Sequence, residues 1–70
     1  MESTYKVIEL VGTSSESWER AAEVALLEAK KSLRDLRIAE VDALDIHLDD
    51  AGEIVSYRTK LKVSFKYLSE

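Results

Sequence analysis

The hydrophobic and polar positions divide the chain into three blocks, which are separated by its two glycines, Gly12 and Gly52. The first block, residues 5–11, is rich in β-branched and aromatic residues, a composition that is typical of a strand. Its apolar residues occupy both odd-numbered and even-numbered positions, so they lie on both faces of the strand. We therefore expect both faces of this strand to be covered, one of them by a helix.

The second block predicts one amphipathic helix from Trp18 to Leu36. Polar residues 13–17 precede it and can accept hydrogen bonds from its free backbone N–H groups. Acidic side chains lie near its start and basic ones near its end, as the helix dipole favours. The apolar residues recur at steps of three and four, and they are Trp18, Ala21, Ala22, Ala25, Ala29, Leu33 and Leu36.

The third block predicts a hairpin around a turn at residues 49–53, where Gly52 can adopt a positive φ. In its second arm, residues 55–67 alternate, with the apolar side chains on odd positions and the polar ones on even positions. The first arm changes phase between Ala43 and Leu44. This change predicts a bulge, a sharp bend, or burial by different partners at the two ends.

Together the elements predict an α+β fold in the order strand, helix, strand, strand. An all-antiparallel sheet of three strands then needs the last strand in the middle. One helix covers only one face of such a sheet, so we expect the other face to be solvated or used for assembly. We interpret residues 1–70 as a single domain.

Composition narrows the class of protein. Seventy residues build only a small core, and the absence of cysteine removes disulfides and thiolate metal sites, so self-association is the expected source of stability. A net charge of −4 disfavours nucleic acid as a partner. No apolar run approaches the ~20 residues that span a membrane, and no signal-peptide pattern is present. We therefore expect a cytoplasmic protein without a membrane partner.

Three polar residues of the first hairpin arm could bind a metal ion. Asp45, His47 and Asp49 alternate along the strand and so project from one face. Carboxylate oxygens suit calcium or magnesium, whereas the imidazole favours zinc or another transition ion. The spacing is not that of an EF-hand loop. The pattern therefore leaves two interpretations, a metal site and a solvated acidic strand end.

The second hairpin arm carries a cationic strip. We expect it to pair with acids on the flanking strands, namely Glu9, Glu40 and Asp42, and an anion site is the alternative. A catalytic function is not indicated, because His47 is the only histidine and no serine is singled out beside it. The members of the strip are Arg58, Lys60, Lys62 and Lys66.

Four segments together resemble the dodecin family, in the same order and over nearly the whole chain. They are residues 5–14, 17–19, 33–37 and 61–65. The resemblance implies a three-stranded antiparallel sheet wrapped around one helix, with twelve copies forming a hollow shell. It also implies a protein that binds and stores flavin rather than an enzyme.

The residues that the resemblance assigns to flavin differ here from the family pattern. Ile38 replaces a tryptophan that stacks on the flavin ring, and Arg58 replaces a glutamine that hydrogen-bonds to the ring's polar edge. Together with Glu40 they would line a remnant flavin pocket. Loss of a stack worth about 1–3 kcal/mol lowers affinity roughly tenfold to hundredfold.

Three functions follow from this resemblance. The first is a homododecameric store for a small molecule, with flavin binding weakened or lost. The second is a dodecamer that binds calcium or a similar cation through Asp45, Asp49 or Glu40, since dodecins without the tryptophan resemble a calcium-type branch. The third is a purely structural shell.

Overall fold

A computed structural model of the chain describes the backbone of residues 2–69 and the side chains of residues 2–67. Met1 and Glu70, the ends of the predicted domain, lie outside the described residues. The elements follow the predicted order of strand, helix, strand, strand. Their bounds are Ser3–Ser14 for β1, Trp18–Ala29 for α1, Leu36–Leu48 for β2 and Ile54–Ser69 for β3.

The three strands form one sheet in the order β1-β3-β2, and both pairings are antiparallel. The prediction that the last strand lies in the middle is confirmed. A central strand must offer backbone hydrogen bonds on both sides, which β3 can do because the chain contains no proline. Its alternating pattern also places Leu61 and Val63 against the helix, where both are buried.

The helix starts where the sequence predicted. Ser17 is its N-cap, and the Ser17 hydroxyl accepts a hydrogen bond from the backbone N–H of Arg20 at 3.0 Å. This bond satisfies one of the donors that the first helical turn leaves free. Among the described residues, no helix has the length and apolar character that crossing a membrane requires.

The helix ends at Ala29, so the prediction that it continues to Leu36 is wrong. Residues 30–32 form a turn instead, and Asp35 adopts a φ of 60°, a left-handed conformation that a continuing helix cannot contain. Leu36 kept the helical spacing because it packs against the same core from the start of β2. Periodicity reports which residues face the core and does not report the element that carries them.

Small residues allow the helix to lie very close to the sheet. Ala21, Ala25 and Ala29 form its buried stripe. Opposite them, a Cβ atom on Gly12 would lie 1.9 Å from the backbone oxygen of Ala21, so only glycine fits at this position of β1. The core is correspondingly thin, and Leu61 is among its largest fully buried side chains.

A bulge explains the phase change in the first hairpin arm. The pairing of β2 with β3 shifts register between Val41 and Ala43, which leaves Asp42 as the extra residue. Before the bulge Val41 is opposite Leu61, and after it Leu44 is opposite Thr59, so both apolar side chains face the helix side. Of the three causes that the phase change allowed, a bulge is therefore the one that the structure shows.

The helix leaves much of the sheet uncovered. It packs mainly against β1 and β3, and a helix of 12 residues is only about 18 Å long, whereas the molecule extends over 54 Å. Apolar side chains on the helix side of β2 are therefore exposed, with accessible fractions from 38% to 54%. They are Val41, Leu44, Ile46 and Leu48. Apolar surface arranged in this way is typical of a protein interface.

Candidate functional site

The sheet face opposite α1, here called the outer face, carries the charged residues that the sequence singled out. The buried residues Thr59, Leu61 and Val63 face the helix, so the even-numbered residues of β3 from Ser56 to Lys66 and their register partners lie on the outer face. It comprises Tyr5, Val7, Glu9, Val11 and Thr13 of β1, Ile38, Glu40, Ala43, Asp45 and His47 of β2, and Ser56, Arg58, Lys60, Lys62, Ser64 and Lys66 of β3.

The strongest polar contact on the outer face is a bidentate ion pair between Arg58 and Asp45. Nε of Arg58 donates to Oδ1 of Asp45 at 2.6 Å, and its NH2 group donates to Oδ2 at 2.8 Å. The two residues are register partners in the antiparallel pairing of β2 with β3. Planar guanidinium and carboxylate groups match in this geometry, which makes it one of the stronger kinds of side-chain contact.

The ion pair changes the ionisation of both partners. The hydrogen bond from Arg58 lowers the pKa of the Asp45 carboxyl below its usual value, with the charges of Arg58 and Lys60 acting in the same direction and partial desolvation opposing them. The same hydrogen bond raises the pKa of Arg58. Both groups are therefore charged at neutral pH, and the charge of each is balanced by that of the other.

The expected pairing of the cationic strip with acids differs in detail from the structure. Lys62 lies in register between Glu9 of β1 and Glu40 of β2, but the ion pairs of the described residues do not include one between Lys62 and either acid. Asp42, however, occupies the bulge and has no partner in the register. The partner of Arg58 is Asp45, which the sequence had assigned to the candidate metal site.

The candidate flavin residues lie far apart within one chain. Ile38 is opposite Ser64, and Glu40 is opposite Lys62. Arg58 lies six residues before Ser64 along the same strand, a separation of roughly 20 Å at 3.4 Å per residue. One subunit therefore does not bring Ile38 and Arg58 together, and a pocket that contains both needs a second copy of the chain.

Ile38 itself borders a groove between the helix and β2. Its side chain is 64% exposed, and its register neighbours across the sheet are Ser64 and Val7, neither of which is aromatic. The groove has a volume of about 320 Å³ and is lined mainly by apolar side chains, among them Leu26, Leu36 and Val63. It can receive an apolar group, but this row of the sheet offers no ring for stacking.

The candidate metal residues are only partly gathered. Asp45 and His47 share the outer face, whereas the Asp49 carboxylate accepts hydrogen bonds from the backbone N–H groups of Ala51 and Glu53, both at 2.9 Å. Its oxygen thereby holds the hairpin turn in which Gly52 has a φ of 79°. Over residues 2–67, no group of three or more such side chains is placed to hold a metal ion.

Trp18, the first residue of the helix, makes three contacts with the sheet that the sequence pattern did not indicate. The indole N–H of Trp18 donates to the backbone oxygen of Asp45 at 3.0 Å, and its ring meets the edge of Tyr57 at 5.2 Å between centroids. The buried hydroxyl of Thr59 donates to the backbone oxygen of Trp18 at 2.8 Å. The one indication in the sequence was Thr59, a polar residue on the otherwise apolar face of β3, which needs a hydrogen-bond partner when it is buried.

These features define a class of protein: a small α+β chain with a β-α-β-β order, a thin core and a charged outer face. Within this class, the model of the dodecin family matches residues 4–68. The chain therefore belongs to the dodecin family.

Two curated relatives and two solved structures carry the comparison further. The chain is 52% identical to the calcium dodecin of Mycobacterium tuberculosis over 91% of its own length and 89% of the relative's. It is 41% identical to a dodecin of Thermus thermophilus, over 94% of each chain.

Solved structures show the same fold. A crystal structure described as the calcium-chelating antigen calcium dodecin from Mycobacterium tuberculosis, with a novel calcium-binding site, aligns with a TM-score of 0.84 and 48% identity. The alignment covers 97% of this chain and 96% of that one. A dodecin from Streptomyces davaonensis aligns with a TM-score of 0.89 and 30% identity, over 99% and 100% of the two chains.

Proposed function

We propose that this chain is the subunit of a non-catalytic homododecameric shell that binds calcium and has lost the flavin stack. The observation that carries the proposal is the environment of Ile38, an exposed aliphatic side chain whose register neighbours are Ser64 and Val7. Flavin binding by stacking needs an aromatic face, and this position does not supply one. The 52% identical relative is named a calcium dodecin, which supports a cation as the ligand.

Self-assembly is supported by the uncovered side of β2. Val41, Leu44 and Leu48 are each about half exposed in the single chain, although they lie on the helix side of the sheet. Burying apolar surface stabilises by about 25 cal/mol per Å², and a 70-residue chain buries only a small core of its own. A second copy is the expected cover, and the proposed number of copies is twelve.

The carboxylate oxygens of one chain are of the type that calcium binds, but one chain supplies too few of them to complete a calcium site. Carboxylate oxygens are the ligands that calcium prefers, and Asp45, Asp49 and Glu40 supply them, with His47 as a neighbour. Asp45 and Asp49 already accept hydrogen bonds inside the chain. The proposed site therefore draws on more than one copy, because a symmetry axis brings like carboxylates together and a cation offsets their repulsion.

The test of the proposal is the thermal midpoint of the purified assembly in chelator, in calcium and in magnesium. A ligand that binds only the folded state stabilises it by mass action, by about 2.7 kcal/mol at a hundred times its dissociation constant. We expect the chelator to lower the midpoint and calcium to restore it, with magnesium less effective. A midpoint that is the same under all three conditions contradicts calcium binding.

A second candidate function is storage of a small apolar molecule in the groove beside Ile38. Its volume of about 320 Å³ and the apolar side chains of Leu26 and Leu36 support this alternative. Titration of the protein into a small apolar fluorescent dye and, separately, into riboflavin tests this alternative. Enhanced dye fluorescence at micromolar protein supports the store and unchanged dye fluorescence contradicts it, whereas unchanged riboflavin fluorescence supports the loss of flavin binding.

A further inference from the structure

The Asp45–Arg58 ion pair joins two residues that sequence reasoning assigned to different ligands. Arg58 stands where the family resemblance places a polar contact to the ligand, and Asp45 is a candidate cation ligand. The structure places them as register partners with two hydrogen bonds of 2.6 and 2.8 Å. Each group is therefore occupied by the other before any ligand arrives.

The pair leaves each partner with reduced capacity for a ligand. Arg58 uses its Nε and one terminal nitrogen on Asp45, which leaves the other terminal nitrogen free to donate. Both carboxylate oxygens of Asp45 already accept a charged donor. The net charge of the pair is zero, so it attracts neither a cation nor an anion strongly.

We infer that the Asp45–Arg58 pair determines whether the outer face binds cations or anions. Arg58 competes with any cation that would bind to Asp45. In the same way, Asp45 competes with any anion that would bind to Arg58. The inference rests on the proposed function in that calcium is its cation probe. It goes further in assigning a specificity-determining role to Arg58, a residue that binds no calcium itself.

Removing one partner should expose the other to a ligand of opposite charge. Both side chains are about half exposed, so the competition is modest and depends on salt. We expect Arg58→Gln to tighten calcium binding about fivefold at low ionic strength, and Asp45→Asn to weaken it. We also expect Asp45→Asn to gain binding of inorganic phosphate, since the guanidinium is then unpaired.

The helix provides a matched control. Arg20 and Glu23 form an ion pair of 2.6 Å on its surface, with side chains that are similarly exposed. Arg20→Gln removes the same charge as Arg58→Gln, and Glu23→Gln removes the same charge as Asp45→Asn. Comparison within each pair of variants therefore separates the effect of the site from that of net charge.

The experiment is a calorimetric titration of the intact assembly of each variant, first with calcium and then with inorganic phosphate, at low and at high salt. The inference holds if Arg58→Gln binds calcium more tightly than Arg20→Gln, and Asp45→Asn binds phosphate more tightly than Glu23→Gln. Both differences should shrink at high salt. Equal constants within each pair of variants, to within a factor of two, overturn it.

The two proposals fail in different ways. If the unaltered protein takes up no calcium, the proposed function fails, and the phosphate comparison between Asp45→Asn and Glu23→Gln still decides the inference. If the unaltered protein binds calcium but the variants match their controls, the inference fails and the proposed function stands. Circular dichroism of each variant verifies that the fold is retained before titration.

Discussion

Replacing Gly12 by alanine probes the close approach of the helix to β1. The added Cβ would lie 1.9 Å from the backbone oxygen of Ala21 and 3.0 Å from the Cβ of Ala25. Nonbonded carbon atoms normally lie about 3.5–4.0 Å apart, so the overlap with the oxygen is more than about 1 Å. Because that atom belongs to the backbone, no side-chain rotation relieves the clash, and the helix must move away from the sheet.

Overpacking a core costs about 1–3 kcal/mol, and we expect Gly12→Ala to lie at the upper end, about 3 kcal/mol. Gly52→Ala is the matched control, because a Cβ there meets no atom within 4 Å and only its φ of 79° is unfavourable. A left-handed residue other than glycine costs about 1–2 kcal/mol. Gly12→Ala should therefore have the lower free energy of unfolding of the two variants.

Urea unfolding followed by circular dichroism measures both free energies of unfolding. All proteins are compared at one fixed concentration, since the stability of an assembly depends on it. If Gly12→Ala is within about 0.5 kcal/mol of the unaltered protein, or is more stable than Gly52→Ala, the close helix–sheet contact is refuted.

Three further predictions test the assembly, the ion pair and the ligand preference. Leu44→Asp puts a charge on the uncovered side of β2, so light scattering should report smaller particles; unchanged particle size contradicts an interface there. Since the pKa of Asp45 is lowered by folding, its stabilisation is present at neutral pH and is lost as pH falls through the folded-state pKa. The difference in thermal midpoint between the unaltered protein and Asp45→Asn should therefore be constant from about pH 7 to about pH 5 and shrink once the pH falls below the ordinary aspartate pKa of 3.8, and a difference that stays constant there contradicts the ion pair. Ile38→Trp combined with Arg58→Gln should restore quenching of riboflavin fluorescence, with affinity raised roughly tenfold or more, and no gain contradicts the stacking explanation.

Much of the fold could be predicted because local pattern and global fold agree. The alternation predicted β3, the polar residues 13–17 predicted the start of the helix, and the phase change before Leu44 predicted an irregularity in β2, and each of these features is present. The end of the helix could not be predicted. Leu36 continues the helical spacing from within a strand, since both elements pack on one core.

The ion pair could not be read from the sequence, because it depends on the register. In the pairing before the bulge Val41 is opposite Leu61, and continuing that register would place Asp45 opposite Tyr57. The extra residue at the bulge shifts the pairing by one and brings Asp45 to Arg58. The phase change predicted a bulge among other causes, but a bend would have left Asp45 without this partner.

The central claim is that the chain builds a shell that retains calcium and not flavin. Mass spectrometry of the intact native assembly reports subunit number and bound ligand together. We expect twelve subunits of 7.9 kDa each, with additional mass from calcium that chelator removes and with no flavin. A stable folded monomer of 7.9 kDa, a shell without bound calcium, or a shell that carries flavin would contradict it.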